Sequence, residues 1–372
     1  MKIAMIGHKR IPSREGGIEI VVGELSKRMV KKGHIVVAYN RDSEHIAGKD
    51  FEANEKAKLW QGVKLKWVKT PNSAKLNAVV YSFFATLRAV FSRFDVIHFH
   101  AEGPAAMVIL SKLFRKRSVV TIHGLDWQRS KWGGFATKYL LFGEKMAVKY
   151  ADEIIVLSQN VKNYFLDKYK RETVFIPNGI TKPEKYDAEI IKEKFGLSKD
   201  EYILYLGRIV PEKGIHYLIE AYKSLKTDKK LVIAGGASHT QEYASELLDS
   251  CKNNENIIFT GFVQGKELDE LFSNSYIYCL PSDLEGMPIS LLEAMSYGNC
   301  CLTSNIDECT QVCGDKAIYF EKSNVDDLKS KLQELIGNNE LVNKLKSESA
   351  QYVLSRYDWD KITEQTLDLY KK

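Results

Sequence analysis

Tyr202-Ile203-Leu204-Tyr205-Leu206-Gly207-Arg208-Ile209-Val210-Pro211-Glu212-Lys213-Gly214-Ile215 decides the fold of this chain. Five apolar residues that stop at a glycine read as a strand buried on both faces. A helix follows from near Gly214, with Ile215, Leu218, Ile219 and Tyr222 on one side of it. Strand, short polar loop and helix make one βα unit of an open α/β sheet, in which ligands bind beyond the carboxyl ends of the strands. Arg208 and Lys213 are held at that edge. A guanidinium and an ammonium there can grip a diphosphate, the first as a fork and the second as a point charge. Taken alone, an Arg-x4-Lys pair is more often a solvated loop.

The same rhythm runs outward in both directions. Apolar runs at 2–6, 35–39, 96–100, 118–122 and 153–157 read as strands, with helical periodicity over 18–31, 76–92, 104–115 and 134–150 between them. A second set lies at 202–206, 231–234, 257–259, 277–280, 300–303 and 317–320. The turn cluster Ile176-Pro177-Asn178-Gly179 separates the two sets. A chain of 372 residues suits two domains. The expected first domain is 1–178.

Composition narrows the class. Hydrophobic residues at 44%, charged residues at 27% and only 8 prolines exclude a disordered or collagen-like chain. All 6 cysteines (251, 279, 300, 301, 309, 313) fall in the second half, mostly in apolar stretches, so they read as core thiols in a reducing compartment. Cys309 and Cys313 lack the second ligand pair of a zinc site. Met1–Gly7 reads as a first strand, too short for a signal sequence. The stretch Leu76–Phe91 is broken by Arg88 and falls short of the ~20 residues of a membrane span. A soluble cytoplasmic protein that at most touches a membrane is expected.

Charge is unevenly placed. Residues 1–180 carry 31 Lys and Arg against 16 Asp and Glu, and the remainder carries 23 against 32. A basic half suits an anionic bilayer, a phosphorylated substrate or nucleic acid. No RNP-like or zinc-finger motif accompanies it, so nucleic acid is not an expected partner. Arg10, Arg14, Lys112, Arg115, Lys116 and Arg117, with the amphipathic 76–91 stretch, point to an anionic membrane surface.

A second motif is Ser282-Asp283-Leu284-Glu285-Gly286-Met287-Pro288-Ile289-Ser290-Leu291-Leu292-Glu293-Ala294-Met295. Pro288 suits the first turn of a helix, which leaves the amides of Gly286, Met287 and Ile289 as an anion site. Glu285 and Glu293 beside such a site need hydroxyl donors, and those of a sugar and a ribose serve. Two glutamates eight apart mean little by themselves; after a buried strand and with Gly-x-Pro between them, they are specific.

Together, Gly207–Gly214 and Glu285-x7-Glu293 resemble the retaining nucleotide-sugar glycosyltransferases of family four. That resemblance covers nearly the whole chain. It implies the GT-B fold: α/β, with two facing Rossmann-like doubly wound parallel-sheet domains and an interdomain cleft. Ile176–Gly179 matches the family's interdomain segment, and Tyr357-Asp358-Trp359-Asp360 resembles the start of its final helix. The implied domains are 1–178 for the acceptor, 179–355 for the nucleotide sugar, and a segment 356–372 crossing back to the first. Gly7-His8-Lys9-Arg10-Ile11-Pro12-Ser13-Arg14-Glu15-Gly16-Gly17-Ile18-Glu19 is similar to a rhamnosyltransferase-like subgroup of bacterial surface polysaccharide assembly.

The resemblance also implies roles. Arg208 and Lys213 bind the donor diphosphate and stabilise the leaving group. Glu285 holds donor-sugar hydroxyls, Glu293 the ribose, and the amides of Gly286 and Met287 phosphate or sugar. Gly261-Phe262-Val263 either offers backbone groups to the base or is an ordinary βα turn. Gly16-Gly17 either lets the first-domain loop approach the diphosphate or is a flexible turn. His123, at a strand end before Gly124, stands near the donor sugar. His98 and His100 share a strand face and are read as packing or cleft residues. No Asp-x-Asp metal motif is expected in the chain, so the reaction is read as metal-independent, and no cofactor is expected. The donor is a UDP-, dTDP- or GDP-sugar, and the acceptor a glycan or a polyprenyl-diphosphate-linked saccharide. Two rival readings are a GT-B nucleotide-sugar epimerase and a non-catalytic binder of glycan or nucleic acid.

Overall fold

Each apolar run read as a strand is one in the computed structural model, which describes residues 1–42, 56–73, 76–128, 134–237 and 240–372. Its contacts divide the chain into one unit of Met1–Gly179 with Trp359–Lys372 and another of Ile180–Asp358.

The first unit is built on β1 (Lys2–Ile6), β2 (Ile35–Asp42), β3 (Leu59–Trp60), β4 (Val63–Lys69), β5 (Val96–His100), β6 (Arg117–Ile122), β7 (Glu153–Val156) and β8 (Val174–Phe175). They lie in the order β3-β4-β2-β1-β5-β6-β7-β8, and every pairing is parallel except β3 with β4. That hairpin turns on Gln61 and Gly62, both at positive φ, which matches the twist of paired strands. β4 alternates buried Val63, Leu65 and Val68 with lysines at 64, 66 and 69, so it lacks the continuous apolar run that marks β1 or β5. The helical run expected over 104–115 is two pieces, Glu102–Ala105 and Val108–Leu113. Between them Ala106 and Met107 bond three residues back, to Gly103 O and Pro104 O, which tightens the turn and ends the first piece.

The helix Trp359–Lys371 belongs to this unit. Arg28 Nε meets Asp360 at 3.1 Å, Lys32 meets Glu364 at 2.6 Å, and Arg117 donates to Leu369 O at 2.7 Å. Trp359 lies against Gly179, where a Cβ would stand 2.5 Å from the indole. Residues 356–358 stay with the second unit, where Ile180 N donates to Tyr357 O at 2.6 Å.

The second unit has β9 (Tyr202–Leu206), β10 (Lys230–Ala234), β11 (Ile257–Gly261), β12 (Ile277–Leu280), β13 (Cys300–Ser304) and β14 (Ile318–Phe320). All are parallel, in the order β11-β10-β9-β12-β13-β14. The six cysteines are free thiols and all buried. Strand order reverses between β9 and β12 here, and between β1 and β5 in the first unit. Such reversals open a crevice at the carboxyl ends, because the flanking connections leave to opposite sides.

Candidate active site

The loops after β9 and β12 flank the reversal in the second sheet. Gly207 N continues the ladder to Ala234 O at 3.0 Å, and Ile209 N reaches Gly236 O at 3.0 Å, so the backbone of Arg208 is tethered on both sides. From beneath, the Tyr205 hydroxyl donates to Arg208 O at 2.9 Å. A single 3-10 turn, Pro211–Lys213, then leads to Gly214 at φ +64°. A Cβ at Gly214 would stand 2.0 Å from Pro281 O, and one at Gly235 (φ +141°) 1.8 Å from Gly207 O. Glycine is therefore required at both positions for the loop ends to approach one another.

Across this gap, Lys213 Nζ donates to Glu285 Oε1, and both side chains are close to nine-tenths buried, at 12% and 8% exposure. Glu285 accepts a second bond from Ser282 Oγ at 2.7 Å. Ser304 Oγ holds Ser282 O, and Asp283 N donates to Glu212 O at 2.9 Å, which pins the β12 loop to the β9 loop. Burial pushes the Tyr205 phenol well above its ordinary value; Glu285 adds to that and Arg208 opposes it. The phenol thus feels charges of both signs, and its own hydroxyl holds the backbone of Arg208. An ammonium has three donors, so a Lys213 bonded to Glu285 keeps capacity for a phosphate oxygen.

The following helix is Ile289–Ser296, with Pro288 as its N-cap in extended backbone, one residue before the first turn where it was expected. Leu292 N is the first amide with an intrahelical acceptor, Pro288 O at 3.2 Å, so the amides of Ile289, Ser290 and Leu291 open the helix. Gly286 and Met287 are buried in the approach, and Glu293 is half-buried on the helix itself. The Tyr278 hydroxyl bridges Ser290 Oγ at 2.9 Å and Leu206 O at 3.3 Å, fastening the helix start to the end of β9. Gly261 closes β11 at φ +73° with no atom near a would-be Cβ, and its carbonyl takes Gly235 N at 2.8 Å. Phe262 is exposed beyond it and Val263 is buried.

In the first unit the reversal is lined by imidazoles. A Cβ at Gly7 (φ +128°) would stand 2.2 Å from His100 O, which brings the end of β1 against that of β5. Gly7 N donates to Tyr81 Oη at 3.1 Å, from the helix Asn77–Val90. His8 Nε2 lies 3.0 Å from Asn40 Oδ1. Asn40 also exchanges both bonds with Ile11, accepting its N at 3.0 Å and donating to its O at 2.9 Å. That exchange fixes the amide orientation, so the His8 proton sits on Nε2. His123 Nε2 is 3.1 Å from His100 Nδ1. His98 faces His100 with ring centroids 4.1 Å apart and bonds Tyr370 Oη at 2.5 Å and Thr121 Oγ1 at 2.7 Å. His98 is therefore a packing residue that anchors the final helix, whereas His100 supports His123. Burial lowers His8 and His98 to about 3 and His100 well below its ordinary value, so all three are neutral near pH 7.

Gly16 is the extended N-cap of the helix Gly17–Lys31, and a Cβ on it would stand 2.6 Å from Glu19 Oε2. Glu19 also accepts Lys9 N at 2.8 Å, so this carboxylate already occupies the helix start. The motif around Gly16-Gly17 gives Glu19 no role. Tyr205, Tyr278 and Ser282, to which the motifs alone give no role, hold the site loops in place; a tyrosine inside an apolar strand is the signal for the first two. Two buried carboxyls after β5 were missed too. Glu144 takes bonds from Trp127 Nε1 at 3.2 Å, Tyr164 Oη at 2.9 Å and Lys168 Nζ at 3.0 Å. Burial, then Asp126 and Glu144, push Glu102 up to about 10.

Three expectations need correction. Arg10 is only 6% exposed and pairs with Glu15 at 2.7 Å, and Arg117 is turned to Leu369 O, so neither is a free surface cation. An Asp-x-Asp tripeptide does occur, at Asp358-Trp359-Asp360. It opens the final helix, with Asp360 held by Arg28. Among the described residues no group of three His, Cys, Asp or Glu is arranged to hold a metal ion, and no helix is long and apolar enough to cross a membrane.

Comparison with known proteins agrees with this geometry. The family model of Glycosyltransferase Family 4 matches residues 15–182, and that of Glycosyl transferases group 1 matches residues 187–352. An uncharacterised glycosyltransferase of Methanocaldococcus jannaschii is 24% identical over 100% of this chain and 98% of its own length. O-antigen chain mannosyltransferase B of Escherichia coli is 24% identical over 49% of this chain and 48% of its own. The sucrose-phosphate synthase of Thermosynechococcus elongatus superposes with a TM-score of 0.85 at 19% identity, covering 100% of this chain and 98% of that one. Anabaena HepE, in complex with UDP and glucose, superposes with a TM-score of 0.80 at 17% identity, covering 99% and 98%. The fold is GT-B.

Proposed function

The chain belongs to the family 4 glycosyltransferases, and on that premise we propose that it transfers a hexose or deoxyhexose, rhamnose-like, with retention of configuration. The donor is a UDP-, dTDP- or GDP-sugar. The acceptor is a glycan or a polyprenyl-diphosphate-linked saccharide in bacterial surface polysaccharide assembly. The Lys213–Glu285 pair across the sheet reversal, with the backbone of Arg208 tethered by the Tyr205 hydroxyl, is the observation that carries this reading.

Departure of a nucleoside diphosphate builds negative charge on its oxygens. Fixed cations answer that charge without reorganising, and a site shielded from water strengthens them. Arg208 and Lys213 serve this role together with the opening amides of the helix Ile289–Ser296, so the reaction as proposed runs without a metal ion. Glu285 orients Lys213 and accepts from a donor-sugar hydroxyl; Glu293 accepts from the ribose. A donor phosphate oxygen takes the acceptor proton on the same face of the sugar. His123, supported by His100, attends the reacting carbon. The protein works in the cytoplasm, with its basic first unit against the membrane that holds the acceptor.

A thermal-shift panel of UDP-, GDP- and dTDP-sugars tests the proposal. A donor at ~100 Kd stabilises by about 2.7 kcal/mol. One nucleotide class should raise Tm in the wild type and fail to do so in Lys213→Ala. A panel with no shift at millimolar sugar nucleotide would overturn it.

A further inference from the structure

The outer face of the helix Asn77–Val90 presents an apolar stripe that no segment of the chain covers among the described residues. Leu76, Phe83, Phe84 and Phe91 are 40–70% exposed. At 3.6 residues per turn these four, with Val80 and Leu87, fall within an arc of about 100°. The opposite face buries Tyr81, Ala85 and Ala89 in the core, so the helix is apolar nearly all round while lying at the surface. The stripe continues onto the helix Val108–Leu113 and its cap: Phe91 and Phe114 rings are 4.8 Å apart, and Leu113 is 70% exposed.

Charge along the segments that carry the stripe has one sign. Arg88, Arg93, Lys112 and Arg115 are exposed there. No Asp or Glu occurs over residues 76–94 or 103–125. Two acids of the same unit are engaged: Asp95 accepts Lys2 N at 2.6 Å, and Asp152 accepts Ser118 N at 2.7 Å and meets Lys112 at 3.7 Å. Exposed aromatics within a cationic rim match a surface that is apolar below and anionic above, as the headgroup boundary of an acidic bilayer is. A second copy of this chain would set arginine against arginine, which disfavours self-association through the same face.

We infer that this ridge is a docking face for an anionic lipid bilayer, with the phenyl rings of Phe83, Phe84 and Phe91 entering the acyl boundary and the arginines meeting headgroup phosphates. The inference deepens the proposed function, since a lipid-linked acceptor is presented at such a surface. It locates the contact on the helix Asn77–Val90 and its neighbour and takes Arg10 and Arg117 out of it.

Flotation of the full chain with vesicles of phosphatidylcholine carrying 30% phosphatidylglycerol tests it. The wild type should float with these vesicles, remain unbound with pure phosphatidylcholine, and release at high salt. The triple variant Phe83→Ala/Phe84→Ala/Phe91→Ala should bind at least tenfold more weakly, and Arg93→Gln and Arg115→Gln about fivefold each. These side chains are exposed, so circular dichroism and the nucleotide-sugar thermal shift should match the wild type in every variant. Three results would overturn the docking face: no flotation of the wild type on acidic vesicles, full binding by the triple variant, or a wild-type dimer that the triple variant dissolves. A failed nucleotide-sugar shift in solution would strike the proposed function instead, because that readout contains no lipid.

Discussion

Lys213→Ala removes one partner of an ion pair in which both side chains are close to nine-tenths buried. Glu285 then keeps the hydroxyl of Ser282 at 2.7 Å and loses the ammonium of Lys213. A hydrogen bond to a charged group is worth about 1.5–3 kcal/mol, and a stranded buried charge raises the cost. Some solvent still reaches both groups, so a loss of about 2–3 kcal/mol is expected. A unit of this size loses roughly 2–4 °C of Tm per kcal/mol, which gives a fall of about 5–10 °C. Adding Glu285→Gln removes the stranded charge, and the double variant should regain about half of that loss. Its rate should not recover. Loss of one fixed charge at a developing anion costs ~10²-fold or more, and the double variant still lacks the ammonium. Differential scanning fluorimetry reads the stability, and release of nucleoside diphosphate from the donor well below Tm reads the rate. A double variant that is stable and active would refute the catalytic reading and reduce the pair to a strut.

Two further outcomes follow from geometry and burial. Gly235→Ala should destabilise the second unit by more than ~3 kcal/mol, because its Cβ meets the backbone oxygen of Gly207 at 1.8 Å. Gly261→Ala has positive φ but open space and should cost only about 1–2 kcal/mol, both losses being read by urea titration. His98 titrates at about 3 in the fold and near 6.5 unfolded, so the unfolded chain takes the proton first as pH falls. The stability it contributes is whole above pH 6.5 and declines from there toward pH 3, by about 2 kcal/mol at pH 5. Wild type should therefore lose about 2 kcal/mol more than His98→Gln between pH 7.5 and pH 5, measured by urea unfolding at each pH. Comparing the two chains cancels Glu102, whose raised carboxyl acts with the opposite sign.

What could be read from sequence depended on how a residue's burden is written in its neighbours. Strands buried on both faces, such as Tyr202–Leu206 and Ile277–Leu280, are continuous apolar runs and were legible. β4 was not, because one side of it faces solvent and its lysines break the run. At the site, Arg208, Lys213 and Glu285 were legible as charged residues at strand ends. The direct pairing of Lys213 with Glu285 was not, since it depends on the order β9-β12, which the intervening residues 207–276 do not state. Arg10 misled because its partner Glu15 lies five residues on, in a loop whose path sequence does not fix. Gly16 was legible as a close approach, and what approaches in the fold is Glu19.

The two sheet reversals solve different electrostatic problems with the same topology. In the second unit glycines at 207, 214 and 235 draw two loops together so that full charges stand at the strand ends, and the carboxylate of Glu285 keeps Lys213 from being a lone buried cation. In the first unit Gly7 performs the same approach, but what it gathers are imidazoles that burial holds neutral. A leaving diphosphate gains from the first kind of surface and a carbon acquiring positive character is not opposed by the second. An imidazolium beside His123 would oppose it, and protonating His100 costs most where it is most deeply buried. The depth of β5 beneath its loop therefore belongs to the proposed chemistry as much as to the core.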